Sequence, residues 1–326
     1  MLLTPAQANA CIDRGAPLII AGARRVLAGL KPGNWIGGSI PYFTTADGGC
    51  CDQTRVFVDE IKLPVTRWAI KSYAPPALSR IAADAFDNGF SYVIIPANSA
   101  AHLEYAMHAP EYPDIFLKPV LGWISGVHLA DLATDAPFVV DGRTGTLHSN
   151  EAIVLHVELP PTFQATVQIV NLFQPGAGPD LRFLEGGFSA STVIVDGQPV
   201  ALAPFMKARG WDTSLPLVAD YAGAHVNVSI KSIDEATGRV SFYAPVFPDV
   251  DYREAAPVGE YVQAFSRLVP GGIQPVLSCN CILNYVYGKL EGQRTGPFTG
   301  PVTFGEIAHQ LLNQTLVYLT ATKTDA

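Results

Sequence analysis

The chain has 326 residues, long enough for one large domain or two ordinary ones. Hydrophobic residues make up 48% and charged residues 15%, which excludes disorder and calls for large buried cores, an extensive subunit interface, or both. A formal net charge of −8, with no Lys/Arg cluster to offset it, argues against nucleic acid as a partner.

In chain order, Thr4 and Pro5 open a short helix over Thr4–Ala10, with Thr4 as cap and Pro5 at the first helical position. Pro17–Leu30 is apolar and ends at the turn Lys31-Pro32-Gly33-Asn34. In Trp35–Phe43, the pair Gly37-Gly38 before Ser39 marks a backbone approached closely by another element or by a ligand. Thr54–Leu63 alternates like a half-buried strand. Thr66–Tyr73 reads as a strand, Ala77–Asn88 as a helix ending at Gly89, and Phe90–Pro96 as a buried strand. Ser99 caps a helix to His108, and Pro119–Leu129 and Phe138–Gly145 read as a strand and a strand with its hairpin turn.

From Asn150 the texture changes. Glu151–Leu159 and Phe163–Phe173 alternate on either side of Pro160-Pro161, with short strands following over Phe183–Phe188 and Ser191–Val195. Leu202–Gly210 and Pro257–Ser266 read as helices, and His225–Ile233 with Arg239–Phe247 as a hairpin. The expected fold is therefore mixed α/β. It has two intimately packed layered halves, 1–159 with alternating strands and helices and 160–326 strand-rich.

No stretch resembles a secretory signal in Met1–Gly15, and Ala16–Leu30 carries Arg24 and Arg25 and is too short to span a bilayer. Five cysteines is an odd number. Cys50-Cys51 are adjacent and Cys279 and Cys281 one residue apart, awkward spacings for mutual disulfides. These features predict a cytoplasmic protein without a membrane partner.

The C-terminal segment carries Cys279-Asn280-Cys281-Ile282-Leu283, then Phe304-Gly305-Glu306-Ile307, then Asn313-Gln314-Thr315-Leu316. This segment, 279–316, resembles FIST domains, bacterial sensory modules, although Asn284 and Tyr285 replace the family's arginine pair. Ile36-Gly37-Gly38-Ser39 is loosely similar to that family's Gly-Cys-Ser turn. The resemblance implies a two-part α/β module that binds a small ligand without catalysis and signals to a separate protein. Its ligand-binding candidates are Gly37, Gly38, Ser39, Cys279, Cys281, Gly305, Glu306 and Asn313. The apolar composition adds the expectation of a homodimer.

Some FIST proteins bind haem and sense nitric oxide, so a haem-dependent gas sensor is the alternative. Of the seven histidines, His128 follows an apolar strand and His156 lies inside one, making them the axial candidates. Each is first of all a core or surface histidine. A second alternative is a thiol- or carboxylate-dependent enzyme. Four thiols at Cys50, Cys51, Cys279 and Cys281 fit zinc or iron–sulfur spacing poorly, and small hydrophobes in a core explain them better. Glu306 after Gly305 is the favoured polar site residue; as a rival, it would be the N-terminal charge of a helix over Ile307–Leu312.

Overall fold

The computed structural model describes residues 1–221, 224–269 and 271–324. It is mixed α/β and strand-rich, with 43% of residues in strands, 17% in helices and five mostly antiparallel sheets. Sheet I runs Leu2–Leu3, Val56–Glu60, Leu18–Gly22, Trp35–Ser39, Val139–Asp141, Thr146–His148. Sheet II runs Gln310–Leu312, Glu306–Ala308, Val120–Ser125, Gly89–Pro96, Ala152–Glu158, Arg67–Tyr73. Sheet III runs Phe163–Asn171, Thr315–Lys323, Leu277–Cys281, Gly300–Thr303, Tyr42–Thr45, Gly48–Cys51. Each of the three holds one parallel pair among antiparallel neighbours. Sheet IV lies within 181–254. Sheet V is the three-stranded set Gly187–Ala190, Arg239–Val246 and Ile230–Asp234.

Side-chain alternation explains the layering. In Leu18–Gly22, Leu18 and Ile20 face helices Pro5–Ile12 and Arg24–Leu27, while Ile19 and Ala21 face sheet II. In Gly89–Pro96, Tyr92 and Ile94 face sheet I, while Val93 and Ile95 face helix Ala100–His108. Helix, sheet, sheet and helix thus stack in four layers. Both inner strands are buried throughout and almost wholly apolar because both of their faces are covered, with Ser91 the polar exception, hydrogen-bonded to His156. Gly38 is where the two sheets meet: a Cβ there would lie 2.7 Å from Ile94 Cγ2 and from the Trp123 ring. The close approach expected of the glycine pair is made by another element.

Local chemistry fixes the helix starts. Thr4 and Gln7 form a reciprocal capping box with Pro5 in the first turn, and Ser99 Oγ accepts the His102 N–H at 3.0 Å. One expected helix and the rival helix after Glu306 are corrected. Ala77–Asn88 holds only the 3₁₀ segment Pro75–Arg80 and turns, and Asp84 there is taken by the Tyr73 hydroxyl and Lys71. Ile307–Leu312 is a β-hairpin turning at His309, whose φ is 63°. It pairs with Val120–Ser125 through Glu306↔Trp123, and that ladder overrides local preference.

The halves on either side of residue 160 exchange hairpins. Tyr42–Cys51 extends sheet III, which is otherwise built from the second half, and Glu306–Leu312 extends sheet II, otherwise built from the first.

Candidate ligand-binding cleft

Around Glu306 the C-terminal motifs form a buried polar knot. Glu306 is fully buried. One carboxyl oxygen accepts from the Thr315 N–H at 3.2 Å and its hydroxyl at 2.8 Å, and the other lies 3.3 Å from the Thr303 hydroxyl. Burial pushes its carboxyl up to about 8, against the hydrogen bonds that favour the charged form, so it carries its proton at neutral pH. The Cys281 thiol lies within hydrogen-bonding reach of the same carboxyl, and the Cys279 thiol donates to Gly122 O at 3.3 Å. Burial pushes both thiols well above their ordinary range, which suppresses the reactive thiolate.

The other predicted site residues are occupied in the same way. Gly305 has φ 156°, and a Cβ there would press on Leu311 and Ile124. Ser39 Oγ accepts the Phe138 N–H at 3.0 Å. A Cβ on Gly37 would meet Ile20 O at 2.7 Å. Asn313 Oδ1 accepts the Ser229 N–H at 3.0 Å, beside the Asn171–Asn227 pair that ties sheets III and IV together. These residues cluster as core, with Gly37, Gly38 and Ser39 in sheet I apart from the rest.

Both histidines expected as axial ligands are engaged by protein groups. His156 is sealed between Tyr73 OH and Ser91 Oγ, each 2.8 Å from a ring nitrogen, and burial lowers its pKa to about 4. His128 stacks on Tyr42 with centroids 5.6 Å apart and accepts the Ala130 N–H through Nδ1. The four thiols do not converge either. Two strands separate Gly48–Cys51 from Leu277–Cys281 in sheet III, about 14 Å at the usual strand spacing. Among the described residues no group of three or more His, Cys, Asp or Glu could hold a metal ion.

One layer outward, a cleft of about 790 Å³ opens between the halves. The first half supplies the turn Ala97–Ala100, His102, Leu103, Leu129 and Leu132. Sheet V supplies Phe188, Lys231, Arg239 and Tyr243 on the facing side, and Ile282, Leu283, Val286 and Phe304 complete the apolar lining. Cys281 and Glu306 stand directly behind this lining, joined to Ile282 and, through Gly305, to Phe304 along the chain.

Three polar lining residues were not singled out by the sequence. His102 is 8% exposed, and its Nδ1 accepts the Asn98 N–H at 3.2 Å, which leaves the ring hydrogen on Nε2. That Nε2 has no hydrogen-bond partner among the described residues, and burial lowers the ring's pKa to about 4. It therefore offers a donor and no lone pair for iron. Arg239 donates to Ser189 Oγ, and the Lys231 ammonium sits 6.0 Å from the Tyr243 ring centre. The alternation of Arg239, Ser241 and Tyr243 against buried Val240, Phe242 and Ala244 was the available signal for the polar wall.

Comparisons with curated proteins and with solved structures found no match. A family model matches residues 3–322, and it is not the FIST model. The FIST resemblance is thereby overturned: Cys279–Leu283 and Gly305–Thr315 build the core and its polar knot in a chain of another family. Along nearly its whole length, the chain belongs to the family of unknown function DUF6976.

Proposed function

We propose that this protein binds a small, largely apolar molecule in the cleft between its halves and does not transform it. The cleft itself carries this reading. Its volume lies within the usual range for small-molecule sites, and apolar side chains meet there with a few polar groups. Binding without chemistry is supported by two of the lining hydroxyls. Ser99 Oγ donates to Pro96 O and caps the helix, and Ser189 Oγ accepts from Arg239. The titratable knot of Cys281 and Glu306 is sealed behind the lining. Signalling to a separate protein was implied by the FIST resemblance alone and has no support apart from it.

The test uses decan-1-ol as an uncharged apolar probe. Calorimetry is expected to give saturable one-site binding that Val286→Trp, a half-exposed lining position, weakens at least about ten-fold by filling the cleft. Binding that is undetectable, or unchanged in the variant, contradicts the reading.

A further inference from the structure

The charges around the cleft share one sign. Arg239 and Lys231, both exposed, project from sheet V, while among the described residues no Asp or Glu lines the cleft. Most of the chain's other basic residues, Arg67, Arg143 and Arg253 among them, sit in ion pairs. Neither Lys231 nor Arg239 has a carboxylate partner within 4.0 Å among the described residues, in a chain with eight more acids than bases. Asp234 stands opposite Arg239 in the hairpin, but its carboxylate accepts from Thr237 and does not pair with the guanidinium, so the two cations leave a local positive field at the cleft.

Two further features point the same way. The nine-residue helix Ala100–His108 turns its N-terminal end to the cleft through Asn98, Ser99 and Ala100; its Ala100 and His102 N–H groups are taken by Asn150 and Ser99, and what it adds there is the positive pole of the backbone dipoles. His102 adds a neutral N–H donor that lacks an acceptor among the described residues, inside a ring more than nine-tenths buried. A donor left without a partner in a low-dielectric wall costs stability, and an incoming acceptor would remove that cost. Beside this polar end the lining is aliphatic and aromatic, through Leu283, Val286 and Phe304.

From this arrangement we propose that the ligand is an amphiphilic monocarboxylate. Its head group lies between Lys231, Arg239 and the start of helix Ala100–His108, and its apolar tail lies along Ile282–Val286 and Phe304. The proposal rests on the cleft being a ligand site, and it adds the charge of the ligand and the residues that read it. Arg239 suits a carboxylate because a guanidinium offers several N–H donors in one plane, and Ser189 takes up only part of that set.

The experiment compares decanoate with decan-1-ol, which share a tail and differ in the head, by calorimetry at pH 7.5 in low and high salt. Decanoate is expected to bind about ten-fold more tightly than the alcohol at low salt, with the advantage shrinking as salt is added. Lys231→Met with Arg239→Met, both at exposed positions, is expected to bring decanoate to within about two-fold of the alcohol measured on the same variant. Circular dichroism checks that the doubly substituted protein is folded. Equal binding of the two probes by the unaltered protein overturns the carboxylate proposal and leaves the cleft reading standing. A decanoate advantage that survives both substitutions also overturns it. If neither probe binds, the cleft reading itself fails.

Discussion

Glu306 shows what a carboxyl does when it is folded into a core with no cation beside it among the described residues. Its ordinary value is 4.5 and burial holds it near 8, so between those values the folded chain keeps a proton that the unfolded chain has released. Stability due to this group is therefore lost as pH rises through that window and levels off above it. Glu306→Gln keeps an acceptor for Thr315 and is expected to shrink the fall in unfolding free energy between pH 5 and pH 8 by about 2–4 kcal/mol. Asp59, which burial raises to about 7, adds a slope of its own and keeps it in the variant. The readout is therefore the difference between two urea-denaturation series, and identical slopes would show that Glu306 is ionised in the folded protein. At Gly38 the argument is steric. Gly38→Ala sets a methyl 2.7 Å from Ile94 Cγ2 and the Trp123 ring, and is expected to cost about 1–3 kcal/mol while leaving decan-1-ol affinity unchanged. Weakened binding at unchanged stability would instead make the glycine pair part of a ligand site.

At the scale of elements, the sequence was most legible where local chemistry decides. Thr4 with Pro5, and Ser99 ahead of its helix, mark helix starts that need no distant partner. Ser99→Ala is accordingly expected to cost about 1 kcal/mol in urea denaturation, and because Ser99 also borders the cleft, to weaken decanoate more than decan-1-ol. An unchanged stability would mean that the cap contributes nothing. Legibility failed where a neighbouring strand decides. Glu306–Leu312 has no helical propensity strong enough to resist the open edge of Val120–Ser125, and Ala77–Asn88 gives up its helix to turns that aim Asp84 at Tyr73 and Lys71. Cys279-Asn280-Cys281 lies in the strand Leu277–Cys281, with both cysteines in the core, as the expectation of small hydrophobes has it.

For the whole molecule, the mixed α/β character was visible in composition and in the change of texture near Asn150. The sheet order was not, because each half lends a hairpin to the other's sheet and nothing local encodes such an exchange. The cleft was hidden for the same reason. His102, Lys231, Arg239, Leu283 and Phe304 are scattered over some 200 residues and meet only once the halves are packed. The motif that drew most notice, around Cys281 and Glu306, forms the solid backing of that cleft. No helix among the described residues is long and apolar enough to cross a membrane.

The most direct test is crystallographic. Crystals grown with 10-bromodecan-1-ol and measured at the bromine edge are expected to give an anomalous peak between Leu283, Val286 and Phe304. A peak elsewhere alone, such as the second cleft beside Trp68 and Phe86, or no peak under saturating probe, would contradict ligand binding between the halves.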